Sequence, residues 1–222
     1  MNILTLSMAE KTNRNDYQII GLDLDSQEIV SISGISKDDI IVNNNSVWDI
    51  GAITSIDLTK NDSEGVYAYN YSGKAKLKEP FDRNFFLKVL KMKSHGNSKF
   101  FVNEKEIFDI IRIVRLDDII ERGGKHYIRA IIAADTNHTS MRISADGIRE
   151  QSGKYYYTEL LVKDIRWVKY WDWAKKNKFY EEKVNIYRKS FNKFYHDKYI
   201  VVYRHRFNNL STSYWVTGLH LM

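Results

Sequence analysis

Short stretches of alternating apolar and polar residues recur along this chain, each cut off after a few positions by Asn, Asp, Gly or Ser. Period-two alternation places successive side chains on opposite faces of an extended strand, and the frequent breaks leave little room for the crossovers a parallel α/β sheet needs. Residues 3–7, 16–24, 28–33, 48–58 and 66–71 read as strands, separated by the turn-forming clusters 23–27, 43–46 and 61–65. Residues 99–103, 107–115, 127–133, 139–143, 155–162, 198–207 and 214–221 continue the pattern, with Gly123-Gly124 as a hairpin signal. Residues 145–147 and 151–153 are further turns.

Two segments break the alternation. After Pro80, the only proline, Phe81, Phe85, Val89 and Leu90 fit a short helical stripe, while residues 85–91 also fit a strand. From 180 to 195, Tyr180, Val184, Tyr187, Phe191, Phe194 and Tyr195 gather near one face at helical spacing, opposite Lys189 and Lys193. The expected fold is therefore mainly β (a β-rich α+β chain): two small OB-like Greek-key barrels with one or two short helices, one of them amphipathic near 180–195. Residues 1–97 and 98–222 are the expected domains, each close to the usual domain size of roughly 100 residues.

Two hydrophobic stretches near the start, residues 3–7 and 19–23, and three near the end, residues 162–167, 200–203 and 215–219, resemble the bacterial dual OB-containing domain family. Ile3-Leu4-Thr5-Leu6-Ser7 leading to Ile19-Ile20-Gly21-Leu22-Asp23 is similar to its opening strands, and Val162-Lys163-Asp164-Ile165-Arg166-Trp167 to its hydrophobic-Thr-Asp-x-Arg-Trp stretch. Ile200-Val201-Val202-Tyr203 and Trp215-Val216-Thr217-Gly218-Leu219 resemble its last hairpin. The family's Cys-Gly and Trp-Ile-Arg residues near the start are missing, and residues 35–150 carry no matching motif. The resemblance implies paired barrels from bacterial conflict and phage-defence settings that bind nucleic acid, with no catalytic motif to transfer.

Charge is unevenly spread. Residues 151–222 hold 14 Lys and Arg against 6 Asp and Glu, together with 18 of the 30 aromatic residues, whereas residues 1–150 carry 20 basic and 22 acidic side chains. Basic groups interleaved with flat rings suit a surface that tracks a phosphate backbone and stacks its bases. They also suit an aromatic core with a solvated lysine fringe. The chain has no cysteine, which excludes disulfides, thiolate catalysis and Cys-based zinc modules. Its N-terminus lacks a signal-peptide pattern and no apolar run reaches membrane-spanning length, so a cytoplasmic protein without a membrane partner is expected.

The candidate nucleic-acid-binding residues follow from this pairing. Trp167, Lys169, Trp171 and Trp173 share a face if the segment is a strand, giving three indoles beside an ammonium; in a helix, Trp167, Tyr170, Trp171 and Ala174 form a core stripe instead. Arg166, Arg204 and Arg206 offer guanidinium forks suited to phosphate, the last two on one strand face. Tyr67, Tyr69 and Tyr71, followed by Lys74, Lys76 and Lys78, repeat the theme in the N-terminal half. No catalytic or metal-binding residues and no cofactor are assigned: His126, His138, His196 and His205 are scattered, and no phosphate-loop motif is present. The sequence thus points to a non-catalytic protein that binds single-stranded DNA or RNA. The alternatives are an interaction subunit docking on a protein partner, and a small metal-independent nuclease using His205, Arg204 and Tyr203.

Overall fold

The computed structural model describes residues 1–10, 16–42, 45–60, 68–94, 107–133, 148–152, 155–208 and 211–222. The expected boundary at 97/98, the strands at 99–103 and 139–143 and the turn at 145–147 lie outside them. Chain contacts divide the protein into two compact units, Met1–Val89 and Leu90–Met222. The fold is mainly β, as the alternation predicts.

Unit 1 contains β1 (Asn2–Glu10), β2 (Asp16–Asp23), β3 (Ile29–Ser36), the one-turn helix α1 (Lys37–Ile40), the short pair β4 (Ile41–Val42) and β5 (Asn45–Ser46), then β6 (Ile53–Lys60) and β7 (Ala68–Glu79). Five of these strands form a closed barrel in the order β1-β2-β3-β7-β6. The β3–β7 pairing is parallel and the others are antiparallel. Closure buries Ile3, Leu4, Leu6, Ile19, Ile20 and Ile32, and leaves Thr5 and Ser7 buried as well. Gly21 is required by close approach: a Cβ there would lie 2.3 Å from Ile3 Cγ2 and 3.0 Å from the Leu4 carbonyl oxygen. The strand expected from residue 48 starts later, because Asp49 to Ala52 form a turn in which Gly51 takes φ +83°.

Helix α2 (Arg83–Lys93) spans the division between the units. It decides the ambiguity after Pro80 in favour of the helix. Asp82 Oδ1 accepts from the Asn84 and Phe85 amides at 2.8 and 3.0 Å, a side-chain N-cap that starts the first turn.

Unit 2 continues with β8 (Phe108–Arg122), β9 (Lys125–Ala133), β10 (Ile148–Ser152), β11 (Tyr155–Val162), α3 (Ile165–Lys176), α4 (Tyr180–Phe194), β12 (Lys198–Asn208) and β13 (Ser211–Leu221). Gly123 and Gly124, at φ +58° and +74°, make the tight β8–β9 hairpin expected of that pair. The strands form a curled six-stranded sheet, β10-β11-β13-β12-β8-β9, in which β9 also pairs with β11. The path β8-β9-β11-β13-β12-β8 therefore returns to its start. Its shortest seam is the parallel contact of Leu161 and Val162 with Trp215 and Val216. Inside it, Ile111, Leu116, Ile119, Ile128, Leu160 and Val216 pack with Trp171 of α3 and with Val184 and Phe191 of α4. The amphipathic helix expected near 180–195 is α4, and its apolar stripe supplies this contact.

Candidate nucleic-acid interface

The Trp cluster of residues 167–173 is helical, and Asp164 is the reason. Its carboxylate caps α3 by accepting from the Arg166 amide at 3.0 Å, and it also accepts from the Leu219 amide at 2.8 Å. Asp164 is fully buried, so its charge needs these donors together with a cation. Arg166 supplies the cation: Nη2 lies 2.8 Å from Oδ2 and Nε 3.2 Å from Oδ1. Arg166 is thus committed to tying α3 to β13.

Helical spacing splits the tryptophans. Trp171 is 0% exposed and lies in the core, which corrects its expected place on a binding surface. It packs beside buried His126, with ring centroids 5.2 Å apart, and His126 Nε2 reaches Asp172 Oδ1 at 2.9 Å. Tyr180 lies against the same imidazole at 5.9 Å, and burial pushes its hydroxyl up to about 12. Trp167 is half-buried and donates from Nε1 to the Leu219 carbonyl at 2.9 Å, a structural role. Trp173 alone of the three is half exposed, with Tyr170 at 6.1 Å and Phe179 at 6.3 Å. Lys169, Lys176 and Lys178 are exposed in the same segment.

Arg204 is also corrected. It is 4% exposed, and its guanidinium lies 5.5 Å from the Tyr214 ring centroid. Strand parity explains this: Ile200 and Val202 face the core, and Arg204 continues their register. Arg206 follows two residues later, paired with Thr212. Of the N-terminal tyrosines, Tyr67 lies outside the described residues. Tyr69 is half-buried opposite Ile32 and Lys60, and Tyr71 stands edge-on to buried Trp48 at 6.2 Å.

The same parity that buries Arg204 brings a different set outward. Tyr127 pairs with Leu161, Leu161 with Trp215, and Trp215 with Tyr203, forming one row across β9, β11, β13 and β12. Their neighbours Ile128, Leu160, Val216 and Val202 point into the core, so the row lies on the outer face. The three rings are half-buried, and Tyr203 and Trp215 have centroids 6.1 Å apart. Cations lie over two of them, the Arg122 guanidinium 5.4 Å from the Tyr127 centroid and Lys163 Nζ 5.3 Å from that of Trp215. Beside the row, Glu159 is only 3% exposed and holds Arg122 at 2.7 Å and Arg129 at 3.2 Å. One buried carboxylate thus orients two guanidiniums that are each about half exposed, and leaves a net positive charge.

Alternation at residues 127–133 and 155–162 was visible in the sequence, but the pairing of strands far apart in the chain was not. That pairing brings Arg122, Tyr127, Arg129, Lys163, Tyr203 and Trp215 together. Among the described residues, no group of three or more His, Asp or Glu is placed to hold a metal ion, and no helix is long and apolar enough to cross a membrane.

No family model and no curated protein matches this chain. A solved structure of a murine DNA binding protein bound with double-stranded DNA aligns over 100% of this chain and 96% of its own, at a TM-score of 0.35 and 7% identity. Similarity at that level implies neither a shared fold nor a shared ligand.

Proposed function

We propose that this protein binds single-stranded nucleic acid, without catalysis, on the outer face of unit 2. The observation that carries the reading is the Tyr127–Leu161–Trp215–Tyr203 row with Arg122, Arg129 and Lys163 beside it. Unpaired bases stack on the rings while phosphates take the guanidinium forks and the ammonium group. A duplex keeps its base faces covered, so the row favours single strands.

With β10 set aside, both units share one strand order: β3 runs parallel to β7 and β11 to β13, and a helical segment follows β3 and β11. We read both as OB-type barrels, in keeping with the resemblance of the chain ends to the dual OB-containing domain family and its conflict-system setting. The face used in unit 2 includes β9 and β11, the second and third strands of that shared order, where OB folds hold oligonucleotides.

Fluorescence anisotropy with labelled single-stranded DNA and RNA tests the proposal. Affinity falls with salt at a log–log slope of about −0.7 per neutralised phosphate. Trp215→Ala weakens binding by about 1–3 kcal/mol, the worth of one base stacked on an aromatic ring. Undetectable binding at low salt, or binding indifferent to salt, sinks the reading.

One observation favours a second reading, a protein partner on the helices. Trp173, Phe179, Ile186 and Phe194 are large apolar side chains 46–64% exposed on or beside α3 and α4. A partner that survives nuclease treatment in a pull-down and is lost with Trp173→Ala supports this reading.

A further inference from the structure

A concavity lies in unit 1, far in character from the basic face described above. Along β6 and β7 the register jumps from Ile56↔Ala75 to Leu58↔Tyr71, so residues 72–74 of β7 stand opposite Asp57 alone. Gly73 absorbs the extra length at φ +84°, where a Cβ would meet nothing within 4 Å. Bulges of this kind bend a strand and re-aim its side chains, and they are frequent beside binding sites. Here the bulge accompanies a groove of about 410 Å³. That volume is in the range of about 300–1,000 Å³ typical of small-molecule sites.

The lining combines three chemistries. Ile56, Ala75 and Tyr71 give apolar and aromatic surface; Asp39 and Asp57 give carboxylates; Lys74 and Lys76 give ammonium groups. Lys74 and Lys76 are exposed and form no ion pair among the described residues. Asp39 uses Oδ2 to accept from the Ser36 amide and hydroxyl at 2.9 and 2.6 Å, leaving Oδ1 outside that turn. Burial, then the nearby Asp39 charge, raises the Tyr71 hydroxyl above its ordinary range.

This mixture selects its ligand. A bare anion is opposed by the two carboxylates, and a bare cation by the two lysines. The ligand must bring hydrogen-bond donors for the carboxylates, an anionic group for the lysines and a flat face for Tyr71. We propose that the groove binds a ribonucleotide: base against Tyr71, ribose hydroxyls donating to Asp57 and Asp39, phosphate on Lys74 and Lys76. The 2′-hydroxyl is the group that separates RNA from DNA, and carboxylates are strong acceptors for it. A free nucleotide and the terminal residue of an RNA strand present the same chemistry.

Isothermal titration of the whole protein with adenosine 5′-monophosphate, its 2′-deoxy analogue, adenosine and inorganic phosphate is the test. The ribonucleotide is expected to bind tightest, with the deoxy analogue and adenosine each weaker by about tenfold or more, the effect of losing one charge-assisted hydrogen bond or ion contact. Asp57→Asn is expected to erase the ribose preference. The Lys74→Ala/Lys76→Ala pair is expected to erase the phosphate preference without moving the melting temperature, because both side chains are exposed. A 5′-phosphorylated RNA dinucleotide that outcompetes the mononucleotide identifies an RNA end as the source; one that fails to compete identifies the free nucleotide. No heat with adenosine 5′-monophosphate, equal affinity for ribo and deoxy forms, or affinity untouched by both variants overturns the proposal. The groove is lined by unit 1 residues alone, so Trp215→Ala protein is expected to bind the mononucleotide normally.

Discussion

Apart from β10, the two units share a strand order, but they differ in almost everything built on it. Residues 1–89 carry 9 basic and 13 acidic side chains, while residues 90–222 carry 25 and 15. The whole positive excess belongs to unit 2. Unit 1 follows β3 with the single turn α1, whereas unit 2 places α3 and α4 after β11 and fills its core with their aromatic faces. Backbone topology sets which strands are neighbours and which residues point outward. Side-chain chemistry decides what the outward face attracts: an open groove of mixed charge in unit 1, and an aromatic row rimmed by cations in unit 2.

The largest expected effect separates the cores. Trp171→Ala removes a fully buried indole from unit 2, at a cost of about 3–5 kcal/mol. Hydrogen exchange read by mass spectrometry is expected to show lost protection across unit 2 with unit 1 unchanged. Trp173→Ala, at the half-exposed neighbour, stays within about 0.5 kcal/mol of the parent. Equal effects at the two positions break the assignment of Trp171 to the core.

The converse substitution lies in unit 1. Gly21→Ala drives a methyl into Ile3 and the Leu4 carbonyl, where buried neighbours have little space to yield. Overpacking of this kind costs about 1–3 kcal/mol. Denaturant melts followed by circular dichroism measure it, and exchange protection is expected to fall in unit 1 alone. An unchanged midpoint shows that the β1–β2 approach is looser than this contact implies.

The smallest effect concerns pH. Lys91, hydrogen-bonded to Asp197 at 2.9 Å, holds that carboxyl below its ordinary range, with Arg112 adding to the effect. A carboxyl lowered by folding stabilises above the ordinary aspartate range and loses that contribution as pH falls through its folded value. Lys91 is 52% exposed, so screening keeps the effect to about 1 kcal/mol or less. Asp197→Asn is expected to be less stable at neutral pH and to converge on the parent in acid. Curves that stay parallel on acidification remove the pair from the balance.

Much of this fold is legible from local chemistry. Alternation marks most described strands, Gly123-Gly124 marks the hairpin, and the spacing of Val184, Tyr187 and Phe191 marks α4. Asp82 and Asp164 were the available signals for the two helix starts that remained ambiguous, since both cap their helices through side-chain oxygens. The candidate site was less legible. The sequence pairs Arg204 with phosphate because arginines favour it, but a strand's period of two had already committed position 204 to the face of Ile200 and Val202. Arg166 looked available until buried Asp164 claimed it.

By itself, then, the sequence determined the class of fold, the places where the chain turns and the surplus of rings and cations toward its end. These depend on interactions spanning a few residues. Tertiary structure decided which rings became core and which became surface, because that depends on strands distant in the chain meeting at a particular register. Tyr127, Leu161, Trp215 and Tyr203 become one row only when β9, β11, β13 and β12 close side by side. The burial of Trp171 likewise waits for α3 to cover that sheet.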